Sequence, residues 1–266
     1  MIYADDPSAD FFRAIPADRR LLYSVERPAV DFYAAHITHR PGGTGFEVGG
    51  LVIRSPLLGL YNVSNALAAL AAASGLAVSQ EAIQRGIADA PPVPGRMERI
   101  DEGQDFLAVV DFAHTPNALR QVLGAARSLI EPGRRVIGVV GSAGLRDRAK
   151  RRMMAQIAAE LADITILTAE DPRTESLDAI LAEMAAGCLA AGGVEGRTFF
   201  REPDRGRAIF RAVTMAEAGD LVMACGKGHE QSMCFGAVEY PWDDREALRS
   251  ALRGQPLLTL PTAAGP

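Results

Sequence analysis

The spacing of apolar and polar residues changes character at Pro91-Pro92-Val93-Pro94-Gly95, a rigid stretch that breaks both helical and strand periodicity. Before it the pattern is mixed. A strand-like run opens the chain at Met1-Ile-Tyr-Ala. Phe32 to Thr38 and Gly45 to Ile53 read as strands around a turn at Pro41-Gly42-Gly43. An Ala/Leu-rich helix follows from Leu60 to about Ala73, and a second from Ser79, a plausible N-cap, to Ala88. After the break the pattern is regular. Short apolar runs at Phe106–Phe112, Arg135–Gly141, Ile164–Thr168, Arg197–Phe200 and Leu221–Cys225 read as strands. Amphipathic runs at Pro116–Leu129, Arg148–Leu161, Leu177–Ala191, Asp204–Ala218 and Asp244–Arg253 read as helices. Strands alternating with helices predict a doubly wound, Rossmann-like parallel sheet, so the class is α/β. The expected domains are 1–93 and 94–256, with 257–266 a disordered tail.

Composition narrows the functional class. A net charge of −5 without any basic block argues against nucleic acid. No apolar run approaches the roughly 20 residues of a membrane span, so no membrane insertion is expected. Cys188, Cys225 and Cys234 are odd in number and unpatterned, which suggests reduced thiols in a cytoplasmic protein and no metal motif. The chain has only two lysines, Lys150 and Lys227.

The candidate chemistry sits after the strands of the second half. They end in Asp111-Phe-Ala-His-Thr-Pro116, Gly141-Ser-Ala-Gly-Leu-Arg-Asp-Arg148, Glu170-Asp-Pro-Arg-Thr174 and Gly226-Lys-Gly-His-Glu230. In a parallel sheet all four project from one edge and share one cleft. Each cluster has an ordinary explanation: a helix cap at Asp111, a loop histidine at His114, a turn opening at Asp171-Pro172. All four falling after strands is harder to explain that way. Arginines, carboxylates and histidines together suit a small zwitterion, because arginine pairs a carboxylate bidentately and carboxylates hold an ammonium.

These motifs resemble those of the Mur ligases. Leu60-Tyr-Asn-Val-Ser-Asn65, Pro94-Gly-Arg-Met-Glu98, Val110-Asp-Phe-Ala-His-Thr-Pro116 and Leu145-Arg-Asp147 carry the resemblance. Glu170-Asp-Pro-Arg173, Asp204-Arg-Gly-Arg-Ala-Ile209 and Gly226-Lys-Gly-His-Glu230 extend it over nearly the whole chain, in family order and closest to the E-type branch. The resemblance implies an ATP-dependent amide ligase of peptidoglycan synthesis, a monomer working in the cytoplasm. Its partners would be UDP-MurNAc-L-Ala-D-Glu, an amino acid and ATP with Mg2+. ATP would phosphorylate the nucleotide-peptide carboxylate, and the amine would attack the acyl phosphate. By motif, Asn65 and Arg96 would contact the base and ribose region of ATP, Asp111 the ribose or hinge, and His114 the ATP. Arg146, Asp171, Arg173, Gly226 and Glu230 would hold the incoming amino acid.

The chain departs from that family twice. Neither a Gly-x-x-Gly-Lys-[Ser/Thr] loop nor any lysine before Lys150 is present, so the main phosphate and metal ligands are absent from it. The expectation is the C-terminal part of a longer ligase, a remnant of the central domain followed by the C-terminal domain, without a complete catalytic set and inactive alone. Where ligases adding diaminopimelate read Asp-Asn-Pro-Arg, this chain has Glu170-Asp171-Pro172-Arg173. The extra negative charge favours a terminal ammonium, so lysine and ornithine stand beside diaminopimelate as candidates. The competing readings are a relative such as a folylpolyglutamate or cyanophycin synthetase, and a non-catalytic module binding an amino acid or nucleotide.

Overall fold

The computed structural model describes residues 1–40 and 42–264. The chain falls into two compact units, Met1–Pro92 and Val93–Pro266.

The first unit holds two small sheets and two longer helices. Its elements are β1 (Ile2–Tyr3), α1 (Ala9–Ala14), β2 (Leu22–Ser24), β3 (Phe32–Tyr33), β4 (Ala35–Arg40), β5 (Gly43–Val48), β6 (Leu51–Ser55), α2 (Leu60–Gly75) and α3 (Gln80–Ala88). β1, β2 and β3 pair in parallel, while β4, β5 and β6 form an antiparallel meander. The expected strand over 45–53 is a hairpin instead. Gly49 and Gly50 both take positive φ, +57° and +82°, and close a two-residue turn between β5 and β6. The expected turn at 41–43 loses Pro41, which lies outside the described residues, while Gly43 opens β5. Phe46, Ile53, Val63, Leu67, Leu70, Ile83 and Ile87 form the core of this unit. Ser79 caps α3 by accepting from the Ala82 amide.

The second unit carries the candidate site. Its elements are β7 (Glu98–Ile100), β8 (Leu107–Asp111), α4 (Pro116–Ser128), β9 (Val136–Ser142), α5 (Ala149–Leu161), β10 (Ile164–Ala169), α6 (Leu177–Ala190), β11 (Phe199–Arg201), α7 (Arg205–Met215), β12 (Leu221–Cys225), β13 (Ser232–Phe235), β14 (Val238–Pro241) and α8 (Asp244–Leu252). β7 to β12 form one sheet in the order β11-β10-β9-β12-β8-β7, parallel except for β7 at the edge. Its central strands are buried on both faces, which is why they read as unbroken apolar runs.

Side-chain alternation assigns the helices to faces. Ile137, Val139, Val222 and Ala224 share a core with Ile209 and Ala212 of α7 and Leu248 and Ala251 of α8. Gly138 points the other way, toward Leu123 of α4. There α4 packs on α5 and α5 on α6. A side chain at Gly187 of α6 would lie 2.3 Å from the Arg152 carbonyl, so only glycine permits that approach. β12 therefore sits between β9 and β8, whose following helices cover one face while β12 leads to elements on the other. That reversal opens a crevice at the carboxyl end of β12.

Two parts of the second unit differ from expectation. β7 and the β13–β14 hairpin were not anticipated, being short and weakly alternating. The tail expected to be disordered is packed through its described residues. Leu260 is buried in the core, Thr262 Oγ1 donates to Asp204 Oδ2 at 2.8 Å, and Arg207 donates to the Ala263 carbonyl at 2.9 Å. Leu260 is apolar enough to bury, and Gly206 lets the Leu257 carbonyl come so close that a Cβ would lie 1.9 Å from it. Gly265 and Pro266 lie outside the described residues. No helix among the described residues is long and apolar enough to cross a membrane.

Candidate functional site

Two loops of the second unit meet through one lysine. Lys227 follows β12 and is 2% exposed. Its Nζ lies 3.1 and 3.2 Å from the two carboxylate oxygens of Asp171, and 2.6 Å from Glu230 Oε2. A buried ammonium must be paired, and here it is paired twice. Asp171 Oδ1 also accepts from the Cys234 amide at 3.0 Å, while Arg173 exchanges backbone hydrogen bonds with Cys234 and Gly236. The loop after β10 is thus fastened along β13. Asp171 and Arg173 both hold positive φ, +41° and +54°. Pro172 between them fixes the turn, and these backbone and ion-pair contacts hold the strained geometry.

Arg173 Nε is buried and has no hydrogen-bond partner among the described residues. The same is true of Glu170 Oε2. Glu170 is 6% exposed and fills a slot between two glycines: a Cβ at Gly141 would stand 2.5 Å from its Cβ, and one at Gly226 2.5 Å from its Oε2. Burial pushes its carboxyl above the usual range, against the pull of Arg205, Lys150, Lys227 and His114. Gly226, with φ +115°, is glycine both for its backbone conformation and to clear Glu170.

Arg146 stands on the exposed loop after β9, and its side chain makes no hydrogen bond or ion pair among the described residues. The loop itself is well held. The Gly144 amide donates to the Asp171 carbonyl at 2.9 Å, and Leu145 donates to Glu175 Oε1 at 2.6 Å. A Cβ at Gly144 would lie 2.0 Å from the Pro172 carbonyl. Asp171, Lys227 and Glu230 therefore form one cluster; Arg173 and Gly226 lie on the same two loops, and the backbone of the Arg146 loop packs against the Asp171 loop.

A second cluster centres on Phe112, just past β8. Arg96 stacks over its ring with Cζ 4.5 Å from the centroid, His114 meets it edge-on at 4.5 Å, and the His229 ring lies 4.9 Å away. His114 Nδ1 is 2.9 Å from the Phe112 carbonyl. Gly95 and Gly228 pack backbone to backbone, a Cβ on Gly95 falling 2.2 Å from the His229 nitrogen. Asp111 has a different task. Its oxygens accept from the amides of Met97 and Ala113, both at 2.8 Å, and Thr115 is the helix cap it might have been. Burial raises the Asp111 carboxyl, opposed by those two amides and by Arg96. Asn65 belongs to the first unit, exposed on α2, where it donates to Asn62 Oδ1 at 3.1 Å.

Sequence reasoning missed the residues that hold these loops. Arg205, 0% exposed, donates to Asp244 through two nitrogens at 2.7 Å, to the Ala169 carbonyl at 3.1 Å and to the Cys225 carbonyl at 2.8 Å. It ties the ends of β10 and β12 to α8. Arg151, also 0% exposed, pairs with Glu175 Oε2 at 2.8 Å and Glu183 Oε2 at 3.1 Å and donates to the Ala143 carbonyl at 3.3 Å. The helical stripe of α5 places Arg151 inward, and a charged residue on an inward stripe was the available signal.

Such a sheet, parallel but for one edge strand and carrying charged loops at the reversal of its strand order, defines a Rossmann-like α/β domain. The chain belongs to the Mur ligase family: residues 95–228 match the Mur ligase glutamate ligase domain and residues 1–73 the Mur ligase middle domain. It is 43% identical over 258 residues to the UDP-N-acetylmuramyl-tripeptide synthetase of Roseiflexus sp. (strain RS-1), covering 95% of this chain and 50% of that protein. It is 38% identical over 253 residues to the UDP-N-acetylmuramoyl-L-alanyl-D-glutamate–2,6-diaminopimelate ligase of Geobacillus thermodenitrificans (strain NG80-2), covering 94% and 50%. A solved structure of a ligase of the same name superposes with a TM-score of 0.67 at 35% identity, over 95% of this chain and 52% of that one. The fold is shared at 17% identity with the UDP-N-acetylmuramate-alanine ligase of Thermotoga maritima, TM-score 0.63 over 94% and 50%. The chain spans about half the length of the curated relatives it matches.

Proposed function

We propose that this chain is part of an ATP-dependent amide ligase that adds a diamino acid to UDP-MurNAc-L-Ala-D-Glu, and that its second unit supplies the amino-acid site. The observation that carries this reading is the convergence of Asp171, Lys227 and Glu230 at the carboxyl ends of β10 and β12, with Arg173 two residues from Asp171 on the same loop. An amino acid presents both charges within a few bonds. The buried, unpartnered Arg173 Nε suits its carboxylate, and the half-exposed Glu230 suits an ammonium. The role of this unit is to bind and orient the amine for attack on an acyl phosphate. Arg146, exposed on the loop after β9, is a second candidate cation for the carboxylate.

ATP and Mg2+ complete the reaction in this reading. Arg96 over Phe112, with His114 beside it, offers a cation and aromatic faces fitting a nucleotide. Asp111 braces the loop that presents them. Among the described residues no three His, Cys, Asp or Glu side chains come together to hold a metal ion, so no step is assigned to a metal here.

Calorimetric titration of the chain with meso-diaminopimelate, L-lysine and L-ornithine tests the reading. At least one should bind, and Arg173→Ala should weaken it by about one to two decades, the loss of a charge-assisted contact worth roughly 1.5–3 kcal/mol. Failure of all three to bind would overturn it.

A further inference from the structure

Read from the sequence alone, Asp171 adds a negative charge where the side-chain end of the amino acid sits, and so disfavours a distal carboxylate. The structure changes the arithmetic. Both oxygens of Asp171 face the ammonium of Lys227, and the Cys234 amide takes one of them as well. Lys227 is buried at 2%, and its other partner is Glu230. Among the described residues no other charged side chain lies within ion-pairing distance of Asp171. The charge of Asp171 is thus spent inside the protein.

We propose that Lys227 is a specificity-determining residue: by neutralising Asp171 it sets the charge met by the side-chain end of the amino acid and keeps the site open to a distal ammonium–carboxylate pair. The proposal rests on the amino-acid site just described and concerns which diamino acid it takes. The three groups sum to −1, from Asp171, Lys227 and Glu230. Shared between the two carboxylates, the Lys227 charge leaves one net negative charge for a distal ammonium. A distal carboxylate then meets a cluster of net charge −1, in which Lys227 offsets one of the two carboxylates. Were Lys227 absent, the same end would face two bare carboxylates and a zwitterionic end would be repelled. Lys227 is 2% exposed and acts through its two carboxylate partners, so its effect should fall on the choice between amino acids.

The test is the ratio of L-lysine to meso-diaminopimelate affinity, measured by calorimetry on the full chain in four forms. Asp171→Asn brings the three-group sum to 0 and should move the ratio about tenfold toward diaminopimelate. Lys227→Met brings it to −2 and should move the ratio about tenfold toward lysine. The double variant returns it to −1 and should restore the wild-type ratio. Removing both members of a buried pair is tolerated far better than removing one, so the double variant remains measurable even where Lys227→Met alone does not fold. A double variant that behaves like Asp171→Asn alone would overturn the proposal, because the ratio would then follow residue 171 and not its pairing. An Asp171→Asn ratio equal to wild type would overturn it too. If neither amino acid binds the wild-type chain, the amino-acid site itself fails, which is a different result from a bound pair whose ratio does not move.

Discussion

Two guanidinium groups brace the site from opposite faces of the sheet, and they do so on different terms. Arg205 and its partner Asp244 have side chains that are both 0% exposed. The side chain of Arg151 is 1% exposed, but those of its partners Glu175 and Glu183 are 26% and 28% exposed. Arg205 grips strand ends through the carbonyls of Ala169 and Cys225, and Trp242 Nε1 donates to Asp244 at 2.8 Å. Arg151 grips loops, through the Ala143 carbonyl and through Glu175, which in turn receives the Leu145 amide. Arg148 also reaches Glu183. The buried clamp holds the frame from which Glu170 and Gly226 project. The half-wet clamp holds the loop that carries Arg146, where water can replace a lost partner. Rigidity and adjustability are thereby divided between the two faces.

The comparison breaks most sharply at Arg205. Arg205→Met strands a fully buried Asp244 and strips two buried carbonyls, and should cost about 3–5 kcal/mol in urea unfolding. Arg205→Met with Asp244→Leu should recover much of that, since an apolar pair of similar size avoids the desolvation of both charges. If the single variant cost no more than its Arg151 counterpart, the distinction between the clamps would be lost.

Arg151→Met should cost less, about 1–2 kcal/mol, because Glu175 and Glu183 can turn to solvent. Its clearer signature is local. Hydrogen exchange at the Gly144 and Leu145 amides should accelerate, since Gly144 donates to the Asp171 carbonyl and Leu145 to Glu175. Exchange at the β12 amides should follow only the global loss. Uniform acceleration across the sheet would show that Arg151 holds the frame as well.

The sheet was legible in the sequence because its strands are buried on both faces and its helices are amphipathic. Leu221–Cys225 and Ile164 onward appear where the apolar runs place them. Edge elements were not legible: β7 is three residues long, and β13 and β14 alternate too weakly to declare a face. The split at Gly49-Gly50 was visible as a glycine pair but hidden inside a longer apolar alternation. At the site, the loops were legible because glycine, proline and charge cluster after each strand. What could not be read was who pairs with whom. Lys227 and Glu230 are three residues apart and suggest a local pair, but Asp171 is remote in sequence and reaches the same ammonium only through the order β10-β9-β12. Arg151 sits in the first turn of α5 and Arg205 opens α7, where sequence alone does not separate a buried clamp from a solvated charge.

The smallest effect is in the pH dependence, and it has opposite signs at the two clamps. Beside Arg151, the Leu145 amide and Arg151 hold Glu175 below the usual carboxylate range, and hydrogen bonds from Arg148 and Arg151 do the same for Glu183. For a lowered carboxyl, the unfolded chain binds the proton first. Its stabilisation is complete above the unfolded value of about 4.3 and is lost as pH falls through the folded value. Beside Arg205, Glu170 is raised by burial, so the folded chain holds the proton longer. Its contribution is most favourable at low pH and declines as pH rises from the unfolded value toward the raised one. Melting temperatures taken from pH 3 to pH 8 should separate the two. Arg151→Met should approach wild type as pH falls below about 4 toward the lowered folded values of Glu175 and Glu183, through which the pairs it removes become protonated. Glu170→Gln should gain on wild type as pH rises above about 4.3, because the amide carries no charge to desolvate in the slot between Gly141 and Gly226. The four cations that act on Glu170 offset part of that gain, which is why it ranks last. Two variants with parallel pH profiles would mean that the carboxylates at both clamps feel the same environment, and the difference between the buried and the half-wet clamp would be one of position only.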